Sequence, residues 1–250
     1  MEEITSVNNA FVKEIVKLQQ KKYRNAEDKF LLEGFKPISE AIEAGIEVET
    51  LFVRLDKLDK YNFFKGRLIS TNEAVLGKIS TTETPPEAVG VAKQKYYTKS
   101  DLKGAKKVLL LENIKDLGNL GTILRTAVAF GADGVVLFGD CADLYNPKCV
   151  RSSVGNLWKI PVLEVSSVSE LEEMFSDFQR VATLPLAKSY LKDFEPQEKI
   201  LVMFGSEADG LSEDLKNFAT TSVKIEMSDK VESLNLSVSC AVVLYKIMVL

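Results

Sequence analysis

"KVLLLENIKDLGNLGTILRTAVAFGADGVVLFG" occupies residues 107–139, and its order of apolar and polar residues decides the fold class. An apolar run from Val108 to Leu111 ends in the polar pair Glu112 and Asn113. A loop with Gly118 follows, then apolar residues at helical spacing up to Phe130, then a second apolar run from Val135 to Phe138. Strand, loop, helix and strand in this order form a parallel βαβ unit. The alternation continues through "SELEEMFSDF" (169–178), "RVATLPL" (180–186), "KILVMFG" (199–205), "SEDLKNFA" (212–219) and "TSVKIEM" (221–227) to an apolar helix at the end of the chain. The predicted fold is α/β: a mostly parallel sheet flanked by helices on both faces, with ligands at the C-terminal ends of its strands.

Upstream the pattern differs. Phe11, Ile15 and Leu18 have helical spacing, "KFLLEGF" (29–35) is a short apolar run, and a second helical stretch reaches Ala44, closed by Gly45. "VETLFV" (48–53), "GRLIS" (66–70) and "AVGVAKQ" (88–94) read as strands, and "TNEAVLGKI" (71–79) as a short helix capped by Thr71 or Asn72. These elements predict a small α/β domain over residues 1–98, a polar linker over 99–106, and the larger domain over 107–250.

Composition narrows the chemistry. The 250 residues contain no histidine, which removes the commonest general base, every Ser-His or Cys-His pairing and the usual metal ligand. Cys141, Cys149 and Cys240 have no paired or metal-like spacing, so no metal and no disulfide is expected. No apolar run is long enough for a membrane span, and the start "MEEITSVNNA" lacks the features of a signal peptide, so a cytoplasmic protein is expected. A net charge of −4 excludes indiscriminate coating of polyanions but leaves room for a local basic patch. "KEIVKLQQKKYR" (13–24), with five cations and one anion, supplies one.

Three polar loops should open onto one edge of the large sheet. In "NIKDLGNLGTILRTA" (113–127), Gly118 and Gly121 bracket Asn119 at a helix start and Arg125 projects one turn further on. "FGSEADGLSEDL" (204–215) places Gly205, Glu207 and Gly210 after a strand, with Ser212 positioned to cap a helix. "IEMSDKVESLNLSVS" (225–239) crowds Ser233, Asn235 and Ser237 ahead of the terminal helix. Taken alone, the first two loops read more readily as a capped helix and as a turn with an N-cap, and the third reads as well as a capped helix.

Together, in order and spacing, the three loops resemble the motifs of the SpoU (TrmH) family of SPOUT RNA methyltransferases. "NPKCVRSSVGNLWKIPV" (146–162) is similar to the family's segment between the first two motifs. "SVNNAFVKEIVKLQQKKYR" (6–24) and "FLLEGFKPISEAIEAG" (30–45) resemble the RNA-binding extension of many members, itself similar in fold to a small ribosomal protein. The resemblance implies methyl transfer from S-adenosylmethionine to a ribose 2'-hydroxyl, a deep trefoil knot at the C-terminal segment, and a homodimer. It places Gly205, Ile225, Met227 and Leu234 at the cofactor, Arg125, Glu207 and Asn235 in catalysis, and Asn119 and Arg151 against RNA, with ribosomal favoured over transfer RNA. The competing readings are a silent RNA-binding protein and a small-molecule methyltransferase on an ordinary doubly wound sheet. Two positions depart from the family pattern: Leu117 and Glu226 stand where proline is usual.

Overall fold

The computed structural model describes residues 2–249. They form two compact units, Met1–Lys95 with Asp143–Trp158, and Tyr96–Ala142 with Lys159–Leu250.

The first unit contains β1 (Glu2–Ile4), α1 (Ala10–Lys17), α2 (Lys21–Glu27), β2 (Lys29–Glu33), α3 (Phe35–Glu43), β3 (Val48–Arg54), β4 (Arg67–Thr71), α4 (Glu73–Ile79) and β5 (Ala88–Lys93). The sheet runs β1-β4-β3-β5-β2, parallel at β1, β4 and β3 and antiparallel at β5. Val12, Ile15 and Leu18, together with Val75, Leu76 and Ile79 of α4, close one core over Phe52, Ile69 and Val89. The Asn9 side chain caps α1 by accepting the Phe11 N–H at 2.8 Å, and Asn72 caps α4 by accepting the Val75 N–H at 3.0 Å.

The basic stretch is not uniformly available to a polyanion. Arg24 is 1% exposed: its Nη1 donates to the Leu18 carbonyl at 2.8 Å and the rest of the guanidinium grips Asp143. Its neighbours Lys13, Lys17, Lys21 and Lys22 are exposed, and the ammonium groups of Lys17 and Lys22 lie over the Tyr23 ring.

The second unit begins with β6 (Lys107–Glu112), α5 (Leu117–Ala129) and β7 (Gly134–Phe138). The chain then passes through α6 (Pro147–Ser153), which groups with the first unit, where Tyr145 and Trp158 pack against Phe30 and Arg151 pairs with Glu33. It re-enters the second unit through β8 (Val162–Val165), α7 (Val168–Phe175), β9 (Gln179–Thr183), β10 (Ser189–Tyr190), β11 (Ile200–Phe204), α8 (Glu213–Phe218), β12 (Thr221–Lys224) and α9 (Leu236–Met248). All seven strands are parallel, in the order β10-β12-β9-β11-β6-β7-β8.

Residues 99–106, which read as linker, fold onto this second unit. Leu102 is buried with Val108, Leu110 and Val136. Gly134 makes the space, since a Cβ there would lie 2.1 Å from Leu102 Cδ2. Among the described residues no helix is long and apolar enough to cross a membrane.

Candidate active site

Parallel strands direct all their C-terminal ends to one edge, and there the loops after β9, β11 and β12 meet the start of α9 around a cavity of about 780 Å³. Its walls include Thr183 to Leu186, Phe204 to Leu211, Val223 to Ile225, Met227, Glu232 to Leu236, Ser239 and Val243. The size suits a small-molecule ligand, and the mixture of apolar wall and few polar groups is that of a cofactor site.

The second loop is held by its own backbone. Ser206 and Gly210 exchange hydrogen bonds, N–H to carbonyl at 3.2 and 3.0 Å, and the Ser206 hydroxyl accepts the Asp209 N–H at 3.0 Å. Only glycine fits at 205: a Cβ would come within 2.0 Å of the Gly210 carbonyl carbon and 2.2 Å of the Leu211 nitrogen. Gly210 itself turns through φ +68. The loop's far end is anchored to β6, where buried Glu112 accepts the Ser212 N–H at 2.7 Å, and Ser212 caps α8.

The polar stretch before the terminal helix has two tasks. Leu234 faces the cavity, while the Asn235 side-chain oxygen accepts the N–H of Ser237 at 2.9 Å and that of Val238 at 3.4 Å, capping α9. Asn235 Nδ2 then donates to Asn119 Oδ1 at 3.2 Å, and Asn119 Nδ2 donates to Glu207. One hydrogen-bonded chain therefore links the first turn of α5, the loop after β11 and the cap of α9. Asp116 starts α5 by accepting the Asn119 N–H at 2.7 Å, so Gly118 and Gly121 lie within the helix rather than before it.

The two departures from the family pattern have local explanations. Leu117 is the first residue of α5, a position proline also tolerates because its N–H has no helical partner. Glu226 pairs with Lys192 at 2.7 Å, a cross-link that ties down the loop where a proline ring would stiffen it. That hydrogen bond holds the Lys192 ammonium above its ordinary range.

Gly205, Glu207, Ile225, Met227, Leu234 and Asn235 all line the cavity, and Asn119 touches two of them. Arg125 lies on the exposed side of α5, outside the lining, and has no hydrogen-bond or ion-pair partner among the described residues. Arg151 belongs to the first unit, where its Nη1 bonds Glu33 and the Thr81 hydroxyl. Leu184, Pro185 and Leu186 were missed in the sequence, absorbed into the strand run "RVATLPL". Pro185 was the available signal, since it cannot continue an interior strand.

The apolar wall fits a flat aromatic base, the close backbone turn at Gly205 leaves room for a ligand's edge, and Glu207 and Asn235 can meet polar groups. This is compatible with S-adenosylmethionine.

Comparison with known proteins gives the same answer. The SpoU rRNA Methylase family matches residues 106–245, and an MRM3-like substrate binding domain matches residues 9–90. An uncharacterized tRNA/rRNA methyltransferase of Synechocystis is 34% identical, covering 97% of this chain and 92% of that protein. The 23S rRNA (guanosine(2553)-2'-O)-methyltransferase of Bacillus subtilis is 30% identical over 98% of both chains. The crystal structure of an AdoMet-bound rRNA methyltransferase from Sinorhizobium meliloti superposes with a TM-score of 0.89 at 28% identity, covering 98% of this chain and 96% of that one. A SpoU methyltransferase from Streptomyces viridochromogenes in complex with AdoMet gives 0.88 at 27% identity, covering 96% and 97%.

Proposed function

This chain belongs to the SpoU rRNA methylase family, and from that premise we propose that it methylates a ribose 2'-hydroxyl of 23S ribosomal RNA with S-adenosylmethionine. Convergence of Gly205, Ile225, Met227 and Leu234 with the Asn235–Asn119–Glu207 chain at one sheet edge supports the reading.

S-adenosylmethionine, when bound, supplies an electrophilic methyl group on a sulfonium. The protein's tasks are to hold the hydroxyl in line and to manage its proton. Gly205, Ile225, Met227 and Leu234 hold the cofactor through backbone and apolar contact. Glu207, Asn119 and Asn235 are locked in mutual orientation and direct the polar groups of cofactor or nucleotide. A guanidinium keeps its proton at neutral pH and cannot serve as the base, so Arg125 stabilises the developing alkoxide, and the proton leaves to a substrate phosphate, water or Glu207. Arg151 takes an RNA phosphate.

The active assembly is a homodimer in this reading. Val238, Val242, Tyr245 and Val249 form an exposed apolar stripe at helical spacing along α9. Tyr245 packs against Phe130 at the C-terminal end of α5, the helix that carries Arg125, and in this reading two copies seated on the stripe complete each other's sites. The protein works in the cytoplasm, residues 1–98 bind the RNA, and the C-terminal segment is threaded in the family's knot.

Mapping 2'-O-methyl sites in total RNA from cells with and without the gene tests the reading. One site lost from 23S ribosomal RNA is the expected result. Identical maps would refute the activity, and a site lost from transfer RNA would refute the substrate.

A further inference from the structure

The first unit carries an aromatic surface that the methyl-transfer chemistry does not use. Phe35, the first residue of α3, and Phe63 are 40% and 42% exposed, with ring centroids 6.1 Å apart and planes nearly perpendicular. Both rest on the ring of Tyr61, which is buried and donates its hydroxyl to Glu87 at 3.3 Å. A buried, hydrogen-bonded tyrosine beneath them makes the pair a stiff platform. Leaving two phenylalanines partly in water is unfavourable unless something covers them. Lys36 and Lys65 flank the pair in the chain, both exposed and neither in an ion pair among the described residues.

Two residues before Phe35 stands Glu33, at most about 7 Å away between Cα atoms. Its side chain is 2% exposed and accepts the Thr81 N–H at 2.6 Å, the Thr81 hydroxyl at 3.0 Å and Arg151 Nη1. Arg151 spends only Nη1 on these partners. The Nε and Nη2 edge has no partner among the described residues, and the side chain is 35% exposed. That edge is the fork that grips a phosphate through two parallel hydrogen bonds.

We propose that an unpaired RNA base stacks on the face of one ring of the Phe35–Phe63 pair and meets the edge of the other while Arg151, set in place by Glu33 and Thr81, binds the adjoining phosphate, so that the first unit selects unpaired RNA. The inference rests on the reading of the chain as an RNA methyltransferase. Each part matches one part of a nucleotide: a ring face and a ring edge for the base, a planar cationic fork for the phosphate, and two free lysines for the next phosphates. A protein partner would use the apolar pair but leave three cations unanswered.

The test is fluorescence anisotropy of the full chain with two probes: single-stranded oligoadenylate of about 12 nucleotides, within the footprint of such sites, and an RNA duplex of the same length. Phe35→Leu with Phe63→Leu keeps the apolar volume and removes the rings. It should weaken oligoadenylate binding by about 5- to 150-fold, the effect of losing base stacking, and leave duplex binding unchanged. Arg151→Lys keeps a charge for Glu33 and hence the fold, but lacks the fork, and it too should weaken oligoadenylate binding at an unchanged melting temperature. Undiminished oligoadenylate affinity in both variants, or equal losses on both probes, overturns the proposal. Incorporation of labelled methyl into total RNA by the wild-type chain is measured in parallel. Its absence would overturn the enzymatic reading, whereas incorporation with undiminished oligoadenylate binding overturns only the stacking site.

Discussion

Gly205→Ala places a methyl group where the protein has backbone. The new Cβ would lie 2.0 Å from the Gly210 carbonyl carbon, 2.1 Å from its oxygen and 2.2 Å from the Leu211 nitrogen. Ordinary carbon contacts begin near ~3.5 Å, so the end of β11 and the returning loop must separate by about 1.5 Å. No flexible side chain is available to yield. That separation breaks the hydrogen-bonded pair between Ser206 and Gly210, two bonds of ~0.5–1.5 kcal/mol each, for a stability loss of about 1–3 kcal/mol. The same loop forms one wall of the cavity, so S-adenosylmethionine affinity should fall by at least about tenfold. Gly210→Ala is the control: nothing lies within 4 Å of its Cβ, and only the left-handed φ of +68 opposes it, at ~1–2 kcal/mol. It should lower the melting temperature while weakening cofactor binding less. Calorimetric titration with S-adenosylmethionine and its demethylated product, with thermal unfolding of each variant, reads both quantities. Wild-type affinity in Gly205→Ala, or a greater loss in Gly210→Ala, would refute the reasoning.

Arg125→Ala should leave cofactor affinity and fold intact while cutting turnover at saturating RNA by about 10² or more, and Arg125→Lys should fail to restore it; wild-type turnover would move the role to Glu207 or Asn235. Val242→Glu, in the exposed stripe of α9, should convert the proposed homodimer to a monomer in light scattering, and an unaltered mass would remove the stripe from the proposed interface. Asp143→Ala strands the buried guanidinium of Arg24 and should destabilise by ~3–5 kcal/mol in denaturant unfolding, with most of the loss recovered in Arg24→Met/Asp143→Leu. Burial pushes the Cys149 thiol up to about 12 and that of Cys240 well above its usual value, so at pH 8 both should resist alkylation until the chain unfolds; prompt labelling by mass spectrometry would contradict this.

Local signals in the sequence determined a large part of this protein. The apolar runs from Val108 to Leu111 and from Ile200 to Phe204 are β6 and β11, the helical spacing from Leu120 onward is α5, and Asn72 and Ser212 cap the helices they precede. Such features act within one turn or one strand, where a residue's neighbours in the chain are also its neighbours in space. Gly205, Ile225, Met227 and Leu234, which line the cavity, were placed at the cofactor only by the resemblance of three loops to the family's motifs, not by these local signals.

Tertiary structure decided whatever depends on contacts between distant segments. Arg24 reads as one more surface cation until Asp143, 119 residues away, takes it into the interior. Leu102 looks like part of a linker until Gly134 opens a hole for it. The order in which seven strands assemble, the grouping of Asp143–Trp158 with the first unit, and the loop at Leu184 to Leu186 joining the cavity leave no periodic trace. Period and capping report which face of an element is apolar. They carry no record of which partner covers it, because burial is nonspecific and register between elements is set only when side chains interlock.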